Sequence, residues 1–189
     1  MKLLTFTACA ALFALSGQVL AADNISTIEQ VGANSNATVE QTGDGTSNNS
    51  TVKQFGGHLH EMNVQQKGTG NENFSLATQF GTAHSAEIIQ DGQGNENSSI
   101  LSQTGFANDV LVQQDGDDNI NKSSLRSETG GNNQITIKQG GTGNENDSVM
   151  STFSFDSTVN VDQSGSGNNN HSEVHVGPAL NSSVSVVQN

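Results

Sequence analysis

The chain has 189 residues, 31% of them hydrophobic, with 21 Gly, one Pro, no Trp, no Tyr and a formal net charge of −13. So few large apolar side chains exclude a conventional globular core of this size. The excess of acids speaks against a nucleic-acid partner. The same composition would describe a disordered chain, were it not organised by a repeat.

Residues 1–21 read as a secretory signal peptide: Lys2 gives a basic start, Leu3–Leu15 is apolar, and Val19–Ala21 fits a small-residue cleavage site. The run is too short to span a bilayer. Cys9, the only cysteine, falls inside it, and its removal with Lys2 leaves five bases against 19 acids, a net charge of −14. An exported chain without disulfides needs another source of durability.

From residue 22 onward one corner motif returns: QKGTGNEN at Gln66–Asn73, QDGQGNEN at Gln90–Asn97, QDGDDNIN at Gln114–Asn121, QGGTGNEN at Gln139–Asn146 and QSGSGNNN at Gln163–Asn170. A fixed period near 24 residues indicates stacked copies of one supersecondary unit. It divides residues 22–189 into seven repeats: 24–47, 48–72, 73–96, 97–121, 122–145, 146–169 and 170–189.

Each repeat contains two strand candidates. The second always ends in glutamine: Gln41, Gln66, Gln90, Gln114, Gln139, Gln163 and Gln188. Two residues earlier stand Val39, Val64, Ile88, Val112, Ile137, Val161 and Val186, and four earlier Ala37, Met62, Ala86, Val110, Ile135, Val159 and Val184. Polar residues mostly fill the intervening positions. This is strand alternation. The first strand ends at Gln30, Gln54, Gln79 and Gln103, then at Glu128, Thr152 and Val176. Its inner face carries a serine column (Ser26, Ser50, Ser75, Ser99, Ser124, Ser148, Ser172) and an asparagine column (Asn24, Asn48, Asn73, Asn97, Asn146, Asn170) in which Lys122 holds the fifth place. Glycines follow both strands at the corners, where positive φ is expected.

The fold class is therefore all-β: a β-solenoid of about seven strand-turn-strand repeats, with two facing parallel sheets in cross-β layers about 4.8 Å apart. Identical amides stacked on one another satisfy buried polar groups and fix register, so the Gln and Asn columns are the expected self-assembly residues. On this alignment Arg126 and Glu128 point inward and act as gatekeepers, because stacked charges in a dry seam oppose assembly. An outward stripe of Leu76, Ile100, Leu125 and Val149 offers a lateral surface.

Function follows from the ends. A monomeric solenoid needs caps. The sequence shows no capping element before the first repeat or after Gln188, and two complementary open ends generate a filament. Two further alternatives are a calcium site at the acidic corner (Glu72, Glu96, Glu145, Asp115, Asp117) and a soluble module that binds calcium, ice or glycan. His60 and His84 share a column with no metal-site spacing. There is no catalytic constellation, phosphate loop or dinucleotide fingerprint, so no catalytic residue, metal or cofactor is expected.

Asn48–Gly57 (NNSTVKQFGG) and Ser99–Asn108 (SILSQTGFAN) resemble the curlin repeat, a resemblance that covers residues 24–189. It implies a subunit of an extracellular curli-type amyloid fibre on a Gram-negative cell surface, serving biofilm matrix, adhesion and colonisation. It also implies an outer-membrane secretion channel, accessory chaperones and a nucleator subunit as partners, beside the chain itself. By the same resemblance the amide columns are the amyloid-forming residues. The uncharged stretch Ser182–Asn189 fits a major subunit better than a minor nucleator, which would carry a basic end.

Overall fold

The computed structural model describes residues 24–43 and 47–189; the expected signal peptide lies outside them. The chain is a β-solenoid. Seven odd-numbered strands form one parallel sheet: β1 (Ile25–Ala33), β3 (Ser47–His58), β5 (Glu72–Thr82), β7 (Glu96–Phe106), β9 (Ile120–Gly131), β11 (Glu145–Phe155) and β13 (Asn169–Leu180). Seven even-numbered strands form the other: β2 (Asn36–Gln41), β4 (Glu61–Gln66), β6 (Ser85–Gln90), β8 (Asp109–Gln114), β10 (Gln134–Gln139), β12 (Thr158–Gln163) and β14 (Ser183–Gln188). In both sheets strand order follows chain order, so each repeat adds one rung to each sheet.

Alternation places every second side chain in the seam. The even-numbered sheet contributes the two columns from Val39 to Val186 and from Ala37 to Val184, in unbroken register. The odd-numbered sheet contributes Ile28, Val52, Ala77, Leu101, Leu125, Met150 and Val174. Interior members of all three columns are buried, whereas Ile28, Ala37, Val39, Val184 and Val186 in the end layers are only partly covered. A rung thus buries about three modest apolar side chains, each contributing on the order of 1–3 kcal/mol. Cohesion requires many rungs.

The fifth repeat departs from the expected register. Gln103 pairs with Ser127 and Gly105 with Gly130, so a bulge absorbs one residue of β9. The inward residues are therefore Asn121, Ser123, Leu125 and Ser127, all buried. Lys122, Ser124, Arg126 and Glu128 turn outward, contrary to the expectation that they face the seam. Arg126 and Glu128 form an ion pair on the surface, with side-chain exposures of 69% and 35%. The bulge costs one irregular pair but keeps three charges out of a dry interior, which would cost far more. The inward-charge basis for gatekeeping at Arg126 and Glu128 is removed. Leu125 likewise leaves the outward stripe, where Ser124 stands between Ile100 and Val149.

At the first corner Gly56, Gly81 and Gly105 have the expected positive φ, whereas Gly32 and Gly130 do not. The left-handed positions also include the non-glycine residues Asn34, Leu59, Ala83, Ala107, Asn132, Asp156 and Asn181, with φ between 50° and 64°. The hydrogen bonds that tie each corner to the next layer hold these residues in place.

Candidate functional site

The seam edges carry the amides. In the even-numbered sheet each glutamine donates from Nε2 to Oε1 of the next: Gln41 to Gln66 (2.7 Å), Gln66 to Gln90 (2.8 Å), Gln90 to Gln114 (2.9 Å), Gln114 to Gln139 (2.9 Å), Gln139 to Gln163 (2.9 Å) and Gln163 to Gln188 (2.8 Å). The other N–H crosses to a carbonyl of the opposite sheet, as in Gln90 to Phe74 O (3.0 Å) and Gln188 to His171 O (2.9 Å). One side chain thus binds layer to layer and sheet to sheet.

The odd-numbered sheet has a shorter ladder: Gln30 to Gln54 (2.6 Å), Gln54 to Gln79 (2.9 Å) and Gln79 to Gln103 (2.8 Å). It stops where Ser127, Thr152 and Val176 take over. The asparagine ladder runs the opposite way. Asn73 donates to Asn48 (2.8 Å), Asn97 to Asn73 (2.8 Å), Asn121 to Asn97 (2.9 Å), Asn146 to Asn121 (2.8 Å) and Asn170 to Asn146 (2.9 Å). Every expected ladder glutamine is in place, as is every asparagine from Asn48 onward, and Asn121 supplies the rung that the sequence reading had given to Lys122.

A second asparagine ladder was missed. Asn71, Asn95, Asn119 and Asn144 each brace the second corner. Asn95, for example, donates to Asp91 O (2.9 Å) and to Gly116 O in the next layer (2.7 Å), and its Oδ1 accepts from the Asn119 N–H (2.8 Å). The signal lay in the GNEN motif, whose first Asn recurs as regularly as the second.

At the first corner the equivalent column holds His60 and His84, then Asn108 and Asn133. The two imidazoles are buried and stacked, with centroids 5.3 Å apart and planes 13° from parallel. His84 Nε2 donates to Phe80 O (3.2 Å), and Nδ1 accepts from the Asn108 N–H (3.4 Å). Burial, chiefly, pushes the His84 pKa below its ordinary value; the neighbouring His60 adds to this, and contacts with the Phe80 and Gly105 carbonyls oppose it in part. A depressed folded-state value means the unfolded chain binds the proton more readily. This stabilisation is complete above the unfolded value of about 6.5 and is lost as pH falls through the folded value. We expect His84→Asn, which copies Asn108, to reduce the loss of urea resistance between about pH 7.5 and about pH 5. Equal losses in the two proteins would remove His84 from the account.

The acidic rim is real as a column: Glu72 pairs with Glu96, and Ile120 separates Glu96 from Glu145. Among the described residues no group of three or more His, Cys, Asp or Glu is placed to hold a metal ion. Comparison with protein-family models, with curated proteins and with solved structures finds no match.

Proposed function

We propose that the protein is the structural subunit of an extracellular, curli-type amyloid fibre that grows by head-to-tail addition. The observation that carries this reading is the polarity of the even-strand amide ladder. Gln41 accepts from no described glutamine above it and presents Oε1, while Gln188 spends one N–H on His171 O and retains the other. The two end layers are therefore complementary. Joining Gln188 to Gln41 of the next copy continues the ladder, and Val186 then meets Val39 and Val184 meets Ala37. Among the described residues β2 and β14 each have one neighbouring strand, and Ile28, Ala37 and Val39 at one end and Val184 and Val186 at the other are partly exposed. Such edges favour strand addition. On this reading the chain leaves the cell unfolded through an outer-membrane channel with accessory chaperones, and a nucleator subunit starts growth.

The test is direct. Purified protein freshly removed from denaturant should develop thioflavin fluorescence and give a meridional reflection near about 4.8 Å. A discrete folded monomer that persists on size exclusion without that reflection would favour the soluble binding module instead. The join also has one poor rung, because Val176 would meet Gln30. Val176→Gln would receive a hydrogen bond from the unpartnered Thr152 hydroxyl and donate to Gln30 of the next copy. One added net hydrogen bond should lower the critical concentration about two- to tenfold. A value equal to or above that of the native protein would show that this column does not cross the join.

A further inference from the structure

The first corner forms an apolar edge along the stack. Val31, Phe55 and Phe80 are successive partners in β1, β3 and β5; at β7 Phe80 meets Thr104, and a second column two residues further along, Thr82, Phe106, Gly131, Phe155 and Leu180, carries the edge on through β13. Phe80 is 57% exposed and Leu180 71%, while Phe106 leans across Gly131 to within 6.0 Å of Phe155, ring centre to ring centre. With Val31, Leu59 and Phe153, also exposed, the edge holds seven of the twelve exposed large apolar side chains among the described residues.

Charge is distributed the other way. The first-corner segments 31–35, 55–60, 80–84, 104–108, 130–133, 153–157 and 177–182 hold a single Asp, Glu, Lys or Arg, namely Asp156. The opposite corner carries Glu72, Asp91, Glu96, Asp115, Asp117, Asp118 and Glu145 against Lys67. Both sheet faces also bear charges, among them Lys53, Lys122, Arg126 and Asp147 on the odd-numbered sheet. Side by side, two such acidic bodies meet the least like-charge repulsion along this edge.

We propose that this corner is a lateral interface with a second copy of the chain, and that it joins filaments in pairs. The inference rests on the fibre reading above. One copy offers only the seven exposed apolar side chains Val31, Leu59, Phe80, Phe106, Phe153, Phe155 and Leu180, against the roughly 20–30 residues that each partner contributes to a standard stable interface. Single subunits therefore stay laterally unpaired. Growth places copies end to end and multiplies the contact, so pairing sets in only with filament length.

The test uses a position where substitution does not strain the fold. Leu59 and Ala107 occupy left-handed φ of 64° and 50°, a conformation that Asp adopts more readily than Leu or Ala. Leu59→Asp with Ala107→Asp places like charges along the edge and leaves the seam alone. Native fibres seen by electron microscopy should be two filaments wide. Fibres of the double variant should keep the cross-β reflection, be one filament wide at low salt, and pair again at about 0.5 M salt, where repulsion is screened. A Phe74→Asn control, on the face of the odd-numbered sheet, should leave the width unchanged. Native fibres of single width, or double-variant fibres as wide as native ones at low salt, would overturn the lateral inference while the fibre reading stands. Absence of any native fibre would overturn both.

Discussion

Gln114→Ala should abolish assembly and leave the chain largely unfolded. Gln114 lies in the middle layer and is fully buried. It accepts from Gln90 (2.9 Å), donates to Gln139 (2.9 Å) and donates across the seam to Ser98 O (3.1 Å). Truncation leaves the Gln90 N–H and the Gln139 side-chain carbonyl without partners, removes the tie to Ser98 O across the seam, and opens a void. Each orphaned group costs on the order of 1–3 kcal/mol, so the two together cost about 2–6 kcal/mol, before the void is counted. A domain of this size has only about 5–15 kcal/mol of stability in all. The same change at Gln30 should cost much less, because that side chain lies in a partly exposed end layer and makes one ladder bond. Urea titration monitored by circular dichroism measures both. Equal losses at Gln30 and Gln114 would mean that burial, and with it the ladder, does not set the cost.

Gly116→Ala should be nearly as damaging, although it adds only a methyl group. Gly116 has φ of 100°, a region closed to L-residues without strain. A Cβ there would also run into the Gly141 carbonyl oxygen of the next layer, and would sit 2.6 Å from Asn119 Nδ2 and 2.8 Å from Gly141 N. Those are the atoms that hold the rungs together, so relief requires parting the layers. Gly143 lies two residues past an equivalent glycine, has φ of 63° and faces open space. Asp118 already occupies the corresponding place one layer earlier, at φ of 54°. Gly143→Asn should therefore be close to neutral, within about 0.5 kcal/mol. Fibre yield and urea midpoint of the two variants, measured side by side, check the contrast; similar losses would mean that crowding between layers is not the constraint.

The two substitutions mark a division of labour. Apolar burial per rung is small, so hydrogen bonding between identical groups supplies both cohesion and register. A one-residue slip in any strand would turn its amides to solvent and its charges inward. The bulge in β9 shows the penalty at work: the chain accepts one irregular pair to keep Asn121 and Leu125 inside and Lys122, Arg126 and Glu128 outside.

Period, strand alternation and the inward glutamine and asparagine columns were legible in the sequence because each is a local property. A strand has a two-residue period wherever it lies, and a stack of equal rungs repeats its residue types at equal spacing. The alternation of the even-numbered strands admits no other pairing, and their register followed directly. The fifth odd-numbered strand was not legible in this way. Counting back from Glu128 and counting forward from Asn121 give opposite faces, and only contact with the neighbouring strands, which hold Asn97 and Leu101 on one side and Asn146 and Met150 on the other, decides between them. The corner asparagines, the stacked His60 and His84 and the uncharged phenylalanine edge likewise depend on atoms brought together from different layers. Their partners lie some 24 residues away along the chain but one rung away in space, and folding alone makes them neighbours.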